Sequence, residues 1–308
     1  MSGNINKVVS EVGKVIKGKD DIIEKVLATI LAGGHVLLED IPGVGKTTLA
    51  MAFAKAMDMD YNRVQFTPDV LPSDISGFSM YNPKTQEFDY REGSAFCNLF
   101  LADEINRTSP KTQSALLEIM EEKKVTVDSV TRDLPTPFTV IATQNPVGSS
   151  GTQMLPESQL DRFMTRLSMG YPSHEAAIAI LKGQEFLPLS QVERIITREE
   201  LVEIQDKVNH FPVHDSIVEY IVSLVEATRN NENFILGASP RGANAILRMA
   251  RAMAVLNVRD YVLPEDIASI FYDVLAHRVK LSGKARANGL TVAMALTEVR
   301  KSVKLPRT

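Results

Sequence analysis

The 308 residues are 44% hydrophobic and 23% charged, an ordinary globular balance on a chain long enough to bury a sizeable core. A net charge of −4 excludes a global basic footprint for nucleic acid, though not a local patch formed on assembly. The single cysteine, Cys97, excludes an intrachain disulfide framework and a cysteine-rich zinc site.

The amino-terminal stretch lacks the long apolar region of a signal peptide, and no run reaches the ~18 apolar residues of a membrane span, so a cytoplasmic location is expected. Residues 1–172 alternate short apolar runs with helical patterns, which is the mark of an α/β layer. The first strand is His35–Glu39, followed by a glycine loop and a helix over Thr47–Met57. Tyr61–Thr67 reads as a second strand. Asn98–Ala102 reads as a third, and its unbroken apolar character suits a central strand buried on both faces. Cys97, beside that run, reads as a buried inert thiol. Ser109 can cap a helix that Pro110 begins and that ends near Glu122. Phe138–Thr143 is the fourth strand and Thr165–Met169 the fifth.

Two segments exceed a minimal α/β alternation. Gly77–Phe96 reads as a hairpin about Asn82-Pro-Lys-Thr85, and Val125–Asp133 is a second β-rich excursion. Either could be a plain surface hairpin; long excursions from compact domains are often working elements. From residue 173 to 308 the pattern becomes almost wholly helical, and a separate helical domain is the economical reading. In it Ile217, Ile221 and Val225, with Val218 and Val222, read as one apolar stripe, followed by helices over Pro240–Leu256 and Pro264–His277.

The chemistry starts in the loop Asp40-Ile-Pro-Gly-Val-Gly-Lys-Thr47 and continues into Thr48. Gly43 and Gly45 let the backbone approach phosphates, and the N–H groups at the start of the next helix can cradle them. Lys46 can reach the β- and γ-phosphates of a nucleotide and the Thr47 hydroxyl can ligate Mg²⁺. Asp40 departs from the strict phosphate-loop pattern, which has glycine there. Asp103 and Glu104 follow the third strand. Asp103 is placed to hold Mg²⁺ and Glu104 to activate the attacking water, with an acidic helix cap as the plainer alternative. Asn145, past the fourth strand, can bind the lytic water or the γ-phosphate, or can simply start a turn before Pro146. Arg162, Arg166 and Arg241 carry guanidiniums suited to charge on the γ-phosphoryl group, although any lone arginine can also be a surface ion pair.

In this order the residues resemble an AAA+ ATPase, and the strings Leu38–Thr47, Gln65–Asp69, Leu101–Arg107, Ala142–Pro146, Leu155-Pro-Glu157 and Gly237–Arg241 resemble its MoxR branch. Asp or Gly precedes the Pro42–Gly45 core in that branch, so Asp40 is no anomaly there. The resemblance implies an αβα core over residues 1–172, with a helix-2 insert at about 77–96 and a pre-sensor hairpin at about 125–133, and then an all-α lid over 173–308. It implies a ring, usually a hexamer, with ATP and Mg²⁺ held at subunit boundaries. Asp40, Pro42, Gly43, Val44, Gly45, Lys46, Thr47 and Thr48 would form the phosphate loop, with Ile16 and Gly18 bordering the adenine. Lys46, Thr47, Asp103, Glu104 and Asn145 would act in cis. Arg162 would reach a neighbour's γ-phosphate, with Arg166 the second candidate, and Arg241 would be the lid sensor. Members of the branch act in a chaperone-like way on a protein client, in assembly or metal-cofactor insertion, often with a von Willebrand factor A domain partner. The competing readings are a nucleic-acid motor of the minichromosome-maintenance kind and a nucleotide-dependent switch or scaffold. The acidic charge and the lack of an appended DNA-binding module count against the first, and the filled catalytic positions against the second.

Overall fold

The computed structural model describes residues 2–41, 43–145, 154–172, 174–182 and 188–306. Helices α1 (Ser2–Gly13) and α2 (Asp20–Leu31) lead into strand β1 (Val36–Glu39), the glycine loop and α3 (Lys46–Ala56). There follow β2 (Tyr61–Gln65), α4 (Pro72–Ser76), β3 (Gly77–Asn82), β4 (Glu87–Glu92), β5 (Leu99–Asp103) and α5 (Pro110–Glu122). Next come β6 (Lys124–Val127), β7 (Val130–Asp133), β8 (Thr139–Gln144), α6 (Glu157–Leu160), β9 (Thr165–Leu167) and α7 (His174–Leu181). The remainder is α8 (Arg198–Asn209), α9 (Asp215–Arg229), β10 (Phe234–Leu236), α10 (Pro240–Leu256), α11 (Pro264–Leu275), β11 (Lys280–Leu281), α12 (Gly283–Ala287) and α13 (Val292–Ser302).

Five parallel strands form the main sheet in the order β2-β5-β8-β1-β9. Side chains alternate between its faces, and both faces are covered. On β5, Leu99 and Leu101 join the apolar cluster on one side, while Phe100 and Ala102 join the cluster on the other. Every residue of β5 and β8 is buried, as their apolar runs require. Ser109 accepts the Thr112 N–H at 3.3 Å and Pro110 starts α5, so the expected cap is in place. Cys97 is buried, and burial pushes its thiol up to about 12.

Both excursions are hairpins. β3 pairs antiparallel with β4, and β6 with β7. They touch: the Arg132 guanidinium lies 3.7 Å from the centre of the Tyr90 ring.

Three expectations are corrected. The fifth strand ends at Leu167, not Met169, because Ser168, Met169 and Gly170 turn away to bind the Asp40 carboxylate. The stripe of α9 is rotated: Ile217, Tyr220, Ile221, Leu224, Val225 and Thr228 are buried, while Val218 and Val222 are 38% and 47% exposed. The helical region also holds a small antiparallel pair, β10 with β11. One apolar cluster runs from α1, α2 and α3 into α8, α9, α10, α11 and α13, so the helices after residue 197 pack on the amino-terminal ones. No described helix is long and apolar enough to cross a membrane.

Candidate active site

The phosphate loop leaves the carboxyl end of β1 and enters α3. Gly43 and Gly45 have φ of 84° and 93°, values that a side chain resists, and Gly45 is the residue before the helix. Pro42 lies outside the described residues. Lys46 Nζ donates to the Asp40 carbonyl at 3.0 Å. Burial lowers its pKa, against the pull of Asp40, Asp103 and Glu104. Among the described residues no carboxylate lies within ion-pair distance of it, so its charge is available to an anionic ligand. The Asp40 carboxylate is itself occupied. It accepts from Ser168 Oγ at 2.8 Å, Met169 N at 2.6 Å and Gly170 N at 3.0 Å. It therefore ties the chain after β9 to the loop, and its backbone carbonyl, not its side chain, meets Lys46.

Beside the loop lies a cavity of about 460 Å³, bordered by Ile16, Val44, Gly45, Thr48, Met169 and Leu189. Its lining is mostly apolar and Gly43 and Gly45 form part of its wall, a setting suited to a flat base beside the loop that takes the phosphates. Gly18 makes a turn at φ 70° before α2 and does not line this cavity. Thr47 and Thr48 are partly buried in the first turn of α3.

Asp103 ends β5. One oxygen accepts from the Thr143 hydroxyl at 2.6 Å and the other from Arg63 Nη2 at 2.7 Å. Thr143 also accepts the Glu104 N–H at 2.8 Å, so one hydroxyl of β8 orients both acidic residues. Glu104 sits at φ 56°, ψ 47°, a left-handed backbone costly for a residue with a side chain. Its carboxylate is paired with Arg107 at 2.7 Å. Asn145 follows β8, and its backbone is held by the buried Asn106, which donates to the Asn145 carbonyl at 3.1 Å and accepts from its N–H at 3.4 Å. Thr47 and Asp103 offer one hydroxyl and one carboxylate, a donor set suited to Mg²⁺, which keeps waters and phosphate oxygens as its other ligands. Among the described residues there is no cluster of three His, Cys, Asp or Glu that could hold a metal by itself.

The three arginines divide between two places. Arg166, on β9, pairs with Glu39 of β1 at 3.4 Å, within the sheet. Arg162 and Arg241 come together on Glu121, at the end of α5. That meeting point shares a cavity of about 240 Å³ with Gly34 and His35, which precede β1. The phosphate loop follows the opposite end of the same strand, roughly 16 Å away at ~3.3 Å per residue. The structure therefore brings Lys46, Asp103, Glu104 and Asn145 to one end of the sheet and Arg162 and Arg241 to the other.

Sequence reasoning missed Arg63, Asn106, Arg107, Glu121 and Arg278. Arg278 is almost fully buried; it donates to Asp161 Oδ1 at 2.7 Å and to the Phe163 carbonyl at 2.6 Å, pinning the backbone that carries Arg162. Ser239, the cap of α10, donates to the same Asp161 at 3.1 Å, which docks Arg241 beside Arg162. Asn106 and Arg107 stood inside a recognised string, but no spacing rule gave them partners. Arg63, Glu121 and Arg278 meet theirs only through the fold.

Residues 35–165 match the model of the ATPase family associated with various cellular activities, and residues 226–299 match the AAA lid domain. The chain is 49% identical over 303 residues to the uncharacterized protein YeaC of Bacillus subtilis, covering 98% of this chain and 95% of that one. It is 38% identical over 312 residues to Chaperone MoxR1 of Mycobacterium tuberculosis, covering 98% and 82% respectively. A crystal structure described as a putative ATPase, from Cytophaga hutchinsonii, superposes with a TM-score of 0.91 at 41% identity and covers 99% of this chain and 96% of its own. With the phosphate loop, the Asp-Glu pair and the lid in place, these matches show that the chain belongs to the MoxR family of AAA+ ATPases and hydrolyses ATP.

Proposed function

We propose that this ATPase works as a ring, in the family's usual number of six, whose active sites are shared between neighbours, and that it remodels a protein client. The observation that carries the shared site is the separation of Lys46 from the Arg162–Arg241 pair across the length of β1. Those two arginines are poorly placed for the nucleotide of their own subunit and, being partly exposed, are free to serve that of the next. Arg241, expected as a lid sensor, thus joins Arg162 in the trans half of the site. Arg166, held in the sheet by Glu39, is the weaker candidate for the finger.

In this reading Gly43, Val44, Gly45, Lys46, Thr47 and Thr48 take the phosphates, and Ile16 packs against the base. Mg²⁺, held by Thr47 and Asp103, neutralises charge on the phosphates when bound. Glu104 accepts the proton of the attacking water and Asn145 orients that water. Arg162 and Arg241 of the neighbour offset the charge that grows on the γ-phosphoryl oxygens. The two touching hairpins, with Phe78, Met80, Tyr81 and Phe88 about half exposed or more, are the elements proposed to meet the client. A chaperone-like role agrees with the name of the Mycobacterium tuberculosis relative, and a partner with a von Willebrand factor A domain agrees with the habit of the family.

Two variants test the site. Glu104→Gln should bind ATP normally and lose at least about a hundredfold in turnover, the scale of a general base. Arg162→Ala should keep nucleotide binding and lose turnover by a similar factor. Measured kcat near wild type in either variant would overturn the corresponding role. Glu104→Gln, locked with ATP, is also the form in which to capture the client.

A further inference from the structure

Glu121 stands in the last turn of α5, and its two carboxylate oxygens divide between the two arginines. Oε2 lies 3.0 Å from Arg162 Nε, and Oε1 meets Arg241 Nη2. Among the described residues this is the ion-pair partner of both. The Arg162 Nε group is buried yet makes no hydrogen bond, so the contact satisfies charge but not the directional demand of the guanidinium. The surrounding cavity is short of negative charge. Lys123, Arg162, Arg241, Arg248 and Arg278 line it against Glu121 and Asp161 alone, and Asp161 is committed to Arg278 and Ser239. Burial lowers the pKa of Lys123 and of Arg248, and for Lys123 the nearby Arg248 adds to the effect.

Two long cationic side chains that are partly exposed would otherwise repel each other and sample many rotamers. A single carboxylate between them removes both costs before any ligand arrives. We propose that Glu121 is the positioning residue of this arginine pair. It gathers Arg162 and Arg241 in the free subunit and yields them together to the terminal phosphate of ATP held by a neighbour. The proposal rests on the reading that these arginines act in trans.

The test uses the full chain under conditions of steady-state turnover. Glu121→Gln, which keeps shape and removes charge, should lower kcat about tenfold with KM for ATP and binding of a fluorescent ATP analogue within twofold of wild type. Glu121→Asp should recover part of the loss. In an Arg162→Ala, Arg241→Ala background the same Glu121→Gln change should cost nothing further. Mixing Glu121→Gln with Glu104→Gln subunits should restore activity above the average of the two, because the first supplies intact Glu104 and the second an intact arginine pair. An unchanged or raised kcat, an additive loss in the double-arginine background, or a mixture no better than the average would overturn the proposal. A control mixture of Arg162→Ala with Glu104→Gln separates the two levels. If it too fails to recover, the trans reading itself is wrong; if it recovers while the Glu121 mixture does not, only the role of Glu121 falls.

Discussion

At the scale of single residues, Asp40 and His35 show how one side chain is read differently before and after folding. Asp40 stood out in the sequence as the one departure from a glycine pattern, yet its task is set by residues more than a hundred positions away. Asp40→Ala would leave the Met169 and Gly170 N–H groups without their acceptor and should lower unfolding free energy by about 1–3 kcal/mol, measured by urea denaturation. His35 gave no functional signal in the sequence. Its Nδ1 accepts the Val140 N–H at 2.9 Å, so the neutral ring carries its proton on Nε2, which donates to the Met120 carbonyl at 3.0 Å. Burial holds its pKa at about 4, well below the usual 6.5. The unfolded chain therefore takes up a proton that the folded one refuses. The stability contribution of His35 is complete above pH about 6.5 and is lost as the pH falls toward 4. His277, buried and also depressed, acts in the same direction. Unfolding midpoints should fall across this window, and less steeply in His35→Gln; parallel profiles would show that His35 contributes nothing to the slope.

At the scale of elements, legibility followed period and length. The buried runs of β5 and β8 were readable because an unbroken apolar strand fits only the inside of a covered sheet. α5 and α10 were readable because Ser109-Pro110 and Ser239-Pro240 announce a helix start by local chemistry alone. The stripe of α9 was misread because Val218 and Val222 are as apolar as the residues that face inward. Tyr220, Leu224 and Thr228 complete the buried face at helical spacing. Leu224→Ala should cost about 2–5 kcal/mol and Val222→Ala no more than about 0.5 kcal/mol, by chemical denaturation of each. Equal costs would contradict the observed rotation of the helix. β10 and β11 have only three and two residues, too short for any alternation to show.

At the scale of the whole molecule, the feature that matters most is the distance between Lys46 in the phosphate loop and the Arg162–Arg241 pair on Glu121. If a site is completed by a neighbour, ATPase activity per subunit should rise with protein concentration and reach a plateau where sedimentation shows full assembly. Activity per subunit that stays constant down to the monomer would contradict a shared site. The sequence by itself determined where the glycine loop and the Asp103–Glu104 pair fall, and the succession of the five main strands with the two excursions between them. Each of these is written in neighbouring residues, whose chemistry or periodicity acts over one or two turns of chain. The tertiary structure alone decided that Asp40 serves the chain after β9, that Thr143 and Arg63 orient Asp103, and that Glu121 joins Arg162 to Arg241. These are pairings across 40 to 130 positions, and no local pattern encodes them. They exist because parallel strands bring distant segments to the same edge of one sheet, and because the packed helices of the lid return Arg241 to the end of β1 opposite the phosphate loop.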